Sequence, residues 1–154
     1  MTHNPPSASE LGPVWIMGAG SVGCYLGGWL AAAGADVSFI GRPRVLETLR
    51  RVGLTVSDMK NHQHVIPANA LKLFEALPSL GSTSSSTQTP PLQPPALVLL
   101  TVKGSGTVQA AQELAAAGLP PGTLVVSFQN GVGNAELAQA HAPLAEGARR
   151  HDSL

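Results

Sequence analysis

Three glycines in the order Gly18-Ala19-Gly20-Ser21-Val22-Gly23 follow directly on the apolar run Val14-Trp15-Ile16-Met17, and this order leaves few folds open. The run is short, fully apolar and entered through Pro13, a residue tolerated at a strand's beginning. After the glycines, residues 21–33 are rich in Ala and Leu and end at Gly34, a helix stop. Residues 36–40, Asp-Val-Ser-Phe-Ile, form a second strand candidate, which completes a strand-helix-strand unit. A Gly-x-Gly-x-x-Gly turn between strand and helix suits a pyrophosphate. Gly18 permits the tight turn, Gly20 lets the phosphates approach the backbone, and Gly23 lets helix and strand pack closely.

The end of the second strand bears on the choice of dinucleotide. A site for NAD usually has an acid there to hold the ribose 2′-hydroxyl, whereas a site for NADP has a cation for the 2′-phosphate. The chain offers Gly41-Arg42-Pro43-Arg44. Asp36 lies at the strand's entrance, away from any ligand crevice, and reads as a turn residue. Arg42 can fork two N–H groups onto a phosphate, and no carboxylate nearby in sequence competes for it. NADPH is therefore the predicted cofactor.

Further along, residues 43–51 carry Val45, Leu46 and Leu49 at helical spacing, with Pro43 at a favoured first position and Gly53 as a stop. Residues 53–57 and 64–66 flank a polar turn at 58–62 and predict a hairpin. His62 and His64 are two apart but lack a third ligand, so they read as exposed turn histidines and no metal is predicted. Residues 78–95 are a Pro/Ser/Thr-rich tract that cannot bury enough apolar surface to offset its chain entropy. It is expected to be a disordered insertion, and the Pro91-Leu92-Gln93-Pro94 match reads as linker rather than peptide ligand. Strand candidates resume at 96–102 and 123–128, each followed by a helix candidate, at 107–117 and from Asn134. Residues just past strand C-termini line the crevice of such sheets, which nominates Arg42, Lys103 and Asn130.

The whole reads as a Rossmann-type α/β domain with a doubly wound, mostly parallel sheet over residues 13–141. It is preceded by a flexible terminus (1–12) and followed by a divergent tail (142–154). With 154 residues, 44% hydrophobic and 12% charged, the composition suits one largely buried parallel sheet. A net charge of +0 argues against a nucleic-acid or anionic-membrane partner. Cys24 has no second cysteine to pair with and reads as a packing residue. Residues 1–12 lack the features of a signal peptide, so a cytoplasmic location is expected.

Four blocks taken in order, Gly-Ala-Gly-Ser-Val-Gly-Cys-Tyr-Leu-Gly-Gly at 18–28, Ile-Gly-Arg at 40–42, Leu-Leu-Thr-Val-Lys at 99–103 and Ser-Phe-Gln-Asn-Gly-Val-Gly-Asn at 127–134, closely resemble the ketopantoate reductase (2-dehydropantoate 2-reductase) family. The resemblance runs from residue 13 to about 140, outside the low-complexity tract. It implies an NADPH-dependent reduction of 2-dehydropantoate to pantoate, a step toward pantothenate and coenzyme A. It further implies that Gly18, Ala19, Gly20, Ser21, Val22 and Gly23 hold the pyrophosphate and Arg42 the 2′-phosphate. Lys103 and Asn130 would lie beside the nicotinamide ribose, Asn130 also touching substrate. In that family a helical C-terminal domain brings the lysine that protonates the nascent alkoxide, and residues 142–154 show nothing resembling its start. The expectation is thus the cofactor-binding domain of a reductase, inactive alone, completed by a separate helical domain or a second copy. A non-catalytic NADPH-binding module and a reductase of another keto or imine substrate remain alternatives.

Overall fold

The computed structural model describes residues 7–77, 80 and 92–141. Five strands form one sheet: β1 (Val14–Met17), β2 (Val37–Ile40), β5 (Lys72–Phe74), β6 (Leu97–Leu100) and β7 (Leu124–Ser127), with β3 (Leu54–Ser57) and β4 (Gln63–Ile66) in a separate antiparallel pair. The helices are α1 (Ser21–Ala32), α2 (Pro43–Val52), α3 (Thr107–Ala117) and α4 (Asn134–His141). The sheet runs β5-β2-β1-β6-β7 with every pairing parallel. Successive strands step one way from β1 to β2 and the other way from β6 to β7. The strand order therefore reverses between β1 and β6, and in open α/β sheets such a reversal leaves a crevice at the strands' carboxyl ends.

Strands β1 and β2 are buried along their whole length, which explains why they read as unbroken apolar runs rather than alternating ones. The two-residue period still sorts them by face. Val14, Ile16, Val37, Phe39 and Leu99 share a core with Leu46 and Leu49 of α2, Val56 of β3 and Ile66 of β4, and α1 packs on it. Trp15, Met17, Ile40, Val98 and Leu100 face the other way, onto Ala110, Leu114 and Ala117 of α3. Helix α1 comes close because it is bare where it touches: a Cβ on Gly27 would press on Phe39, and one on Gly28 on Val56.

The hairpin forms where expected, closed by its turn. Asp58 Oδ1 accepts from the backbone N–H of Lys60 (2.8 Å) and of His62 (2.9 Å), and Oδ2 lies 2.7 Å from His62 Nδ1. These bonds, the His62 side chain first, hold the Asp58 carboxyl below its ordinary range. His62 thus serves its own turn. No cluster of three metal-ligating side chains occurs among the described residues, nor does any helix among them have the length and apolarity to cross a membrane.

Three features depart from the sequence expectations. Strand β5 had no expectation: three residues with no alternation carry no periodic signal, and its identity comes from pairing with β2. The amino-terminal residues 7–12 are not all free. Ala8–Leu11 form a 3-10 turn, Glu10 accepts from the Ser7 N–H at 2.8 Å, and Ala8 packs against the core.

The third departure concerns the Pro/Ser tract, whose far end is structural. Leu92 is 8% exposed and belongs to the Trp15 core, the Gln93 carbonyl accepts from Trp15 Nε1 at 3.0 Å, and the Pro95 carbonyl accepts from Thr123 Oγ1 at 3.0 Å. A composition average over 78–95 hides Leu80 and Leu92, two large apolar side chains that pack on this core. Residues 92–95 are therefore committed to the domain rather than free as a linker or a ligand, while residues 78, 79 and 81–91 lie outside the described residues. Leu92→Ala is expected to cost about 2–4 kcal/mol through lost burial and the cavity left behind. Gln93→Ala, which keeps the carbonyl and alters an exposed side chain, is expected to be near neutral. Urea unfolding of the two variants beside the wild type checks both.

Candidate functional site

At the carboxyl end of β1 the chain must turn sharply to enter α1. Gly18 does so at φ +117°, where a side chain is strained, and a Cβ there would also stand 2.6 Å from Val102 N. The Gly18 and Ala19 N–H groups both donate to the Ile40 carbonyl at 3.0 Å, and Gly20 N–H donates to the Gly18 carbonyl at 2.8 Å. From the other side Thr101, just past β6, donates its hydroxyl to the Gly18 carbonyl at 2.7 Å. The loop is therefore tied to both neighbouring strands. In the sequence Thr101 stands within one of the four matching blocks; that it clamps the loop depends on strand order, which no local pattern reports.

The three glycines do different work. A Cβ on Gly20 would meet nothing within 4 Å, so this position faces open space. On Gly23 it would overlap the Gly18 carbonyl oxygen and lie 2.7 Å from Thr101 Oγ1 and 2.8 Å from Ile16 Cγ2. Gly23 is buried against β1 and acts by packing. Ser21 and Val22, exposed on the first turn of α1, complete the helix start. No side chain caps this terminus; its first N–H groups lack intrahelical partners and carry the positive end of the helix dipole. This arrangement suits an anion.

The loop opens into a cleft of about 460 Å³ at the point where the strand order reverses. Gly18, Ala19, Gly20, Arg42 and Lys103 line it, joined by Thr101, Val102 and, from α3, Gln109 and Glu113. Arg42 is exposed at the N-cap of α2; its carbonyl accepts from Val45 and Leu46 N–H, and its guanidinium makes no hydrogen bond or ion pair among the described residues. Asp36 lies at the opposite end of the sheet, ion-paired with Lys72. Ser21, Val22, Gly23 and Asn130 are not among the lining residues. Asn130 sits exposed in the loop after β7, its carbonyl accepting from Asn134 Nδ2 at 3.0 Å. That loop is anchored toward the cleft by Gln129, whose Nε2 donates to the Val102 carbonyl (2.9 Å) and to the buried Thr107 hydroxyl (2.7 Å).

One sequence expectation is corrected here. The sequence predicts no carboxylate near Arg42, but Glu75 lines the same cleft. It follows β5, far away in the chain, and reaches the site because β5 lies beside β2. Of the three lysines in the sequence, Lys103 alone lines the cleft; Lys60 is in the hairpin turn and Lys72 at the far end of the sheet. Cys24 is half-buried on α1, and desolvation raises its thiol pKa, the opposite of what a reactive nucleophile requires.

Sheet order, the glycine turn and the crevice together define a Rossmann-like α/β protein. The sequence narrows this further: residues 14–149 match the family model for ketopantoate reductase PanE/ApbA, and the chain belongs to that family. It is 34% identical over 123 residues to the 2-dehydropantoate 2-reductase of Pyrococcus horikoshii, covering 80% of this chain and 34% of that protein. With the enzyme of the same name from Archaeoglobus fulgidus it shares 35% identity over 124 residues, again 80% of this chain and 34% of the other. Among solved structures, the PanE/ApbA family ketopantoate reductase of Ralstonia eutropha JMP134 superposes with a TM-score of 0.67 at 34% identity, covering 84% of this chain and 38% of that one. The chain thus spans about a third of the length of the curated relatives it matches.

Proposed function

We propose that this chain is the NADPH-binding part of a reductase that converts 2-dehydropantoate to pantoate in the cytoplasm. The observation that carries this reading is the pairing of an open backbone at Gly20, before an uncapped helix start, with an unpartnered Arg42 at the end of the neighbouring strand. A dinucleotide needs both features at once: bare N–H groups for its pyrophosphate and, in the phosphorylated form, a cation for the 2′-phosphate. Family membership, with two relatives named as 2-dehydropantoate 2-reductases, supports the choice of substrate.

In this reading the glycine loop and the first turn of α1 hold the pyrophosphate, and Arg42 grips the 2′-phosphate. Bound NADPH supplies the hydride that reduces a keto group. Lys103, at the cleft wall, orients the nicotinamide ribose, and Asn130 approaches from the β7 loop that Gln129 anchors. Gripping the substrate and protonating its oxygen fall to a helical domain, as the family resemblance implies.

Titration with both nucleotides tests the reading. Wild-type protein is expected to bind NADPH more tightly than NADH. Arg42→Ala should weaken NADPH binding by about 10- to 100-fold, the worth of a charge-assisted hydrogen bond, while barely changing NADH binding. Equal affinities in the wild type, or no binding of either, would refute it.

A further inference from the structure

The Glu75 carboxylate stands where the identity of the dinucleotide is decided. Strand β5 pairs with β2 so that Phe74 lies opposite Ile40, and the Gly41 N–H donates to the Phe74 carbonyl at 3.0 Å. Glu75 therefore follows Phe74 into the space beside Gly41 and Arg42, and both Glu75 and Arg42 line the cleft. Helix α2 starts just after Arg42 and carries Arg50 in its last turn, where Arg50 Nη1 meets Glu75 Oε1 at 3.1 Å. Both side chains are about half exposed, 47% for Arg50 and 50% for Glu75.

A carboxylate at this position has two opposite effects on a nucleotide. It accepts a hydrogen bond from a ribose 2′-hydroxyl, and it repels a 2′-phosphate. Left alone, it would also draw Arg42 to itself and remove the cation that lines the cleft at the end of β2. Arg50 prevents this by occupying one carboxylate oxygen and offsetting the charge. We propose that the Arg50–Glu75 pair sets which dinucleotide the cleft takes: with Arg50 in place Arg42 is left for the 2′-phosphate, and without it Glu75 turns the site toward NADH. This rests on the NADPH-binding reading above and adds two specificity-determining residues to it. Glu113, the other acid in the cleft, is on α3 and accepts from Gln109 at 2.9 Å. It is the same in every variant of the comparison and leaves the contrast between them intact.

The experiment is a double-mutant cycle read as the ratio of NADH to NADPH dissociation constants, measured by fluorescence titration of wild type, Arg50→Gln, Glu75→Gln and the double variant. Arg50→Gln is expected to lower the ratio about two- to fivefold, the range for a partly screened charge at the surface. Glu75→Gln should hold or raise the ratio, and in that background Arg50→Gln should have no further effect. The Arg50→Gln effect should also shrink between low and high salt, since the groups are exposed. Thermal melts verify that all four proteins are folded. An Arg50→Gln effect of equal size with and without Glu75 would mean that Arg50 touches the phosphate directly, and no effect would mean that the pair is outside the site; either overturns the inference. If wild type prefers NADPH through Arg42 while the Arg50 arms stay flat, the inference alone fails. Wild type that binds neither nucleotide would remove the NADPH reading and the inference with it.

Discussion

Gly23→Ala is expected to destabilise the protein by about 2–3 kcal/mol, the range for overpacking a close contact. Helix propensity points the other way, since Ala in a helix interior is favoured over Gly by about 1 kcal/mol. Sterics prevail because the added carbon would overlap the Gly18 carbonyl oxygen, which cannot yield cheaply. That oxygen already accepts from Gly20 N–H at 2.8 Å and Thr101 Oγ1 at 2.7 Å. Moving it loosens the whole turn, so nucleotide affinity should fall along with stability. A drop in Tm of roughly 10 °C is the expected reading for a domain of this size, and an unchanged Tm would show that α1 stands further from β1 than described.

Gly20→Val should do the reverse, sparing the fold and removing the ligand. Its backbone is extended, at φ −91° and ψ −164°, which valine adopts readily, and its Cβ would meet no protein atom. Exchanging glycine for valine at an N-cap costs about 1 kcal/mol. The added side chain instead fills the space above the first turn of α1, where the pyrophosphate would lie. A loss of at least about 100-fold in NADPH affinity is expected, equivalent to about 2.7 kcal/mol or more, with a near-native melting curve. Retained affinity would place the phosphates elsewhere and remove the role given to the loop. Together the two variants separate the glycine that packs from the glycine that faces open space, a distinction that the spacing of the motif does not contain.

The local grammar of the chain was legible wherever the physics is local. The glycine turn, the apolar strands β1, β2, β6 and β7, the four helices and the β3–β4 hairpin follow from apolar periodicity, turn residues and stop signals, because these depend on neighbours within a few residues. Gly18, Gly20, Arg42 and Lys103 could be nominated from position alone, since each directly follows or sits just past a strand that is itself legible. Strand β5 was not, because three residues acquire a structure only through pairing with β2. Glu75 was missed with it and enters the cleft only by virtue of that pairing. The far end of the Pro/Ser tract was misjudged for a related reason: Leu92 is surrounded by polar and proline residues in sequence but by Trp15 and its neighbours in space.

Backbone chemistry written into short segments therefore accounts for the elements and for the class of ligand they suit: an extended apolar run, a turn that only glycine can make, and a helix start left bare for an anion. Which side chains meet at that site is a matter of strand order. Thr101 clamps the loop because β6 lies against β1, and Glu75 lines the same cleft as Arg42 because β5 lies against β2. These contacts join residues tens of positions apart, and the free energy that selects them comes from burying both faces of the sheet at once, a property of the assembled core that no window of the sequence carries.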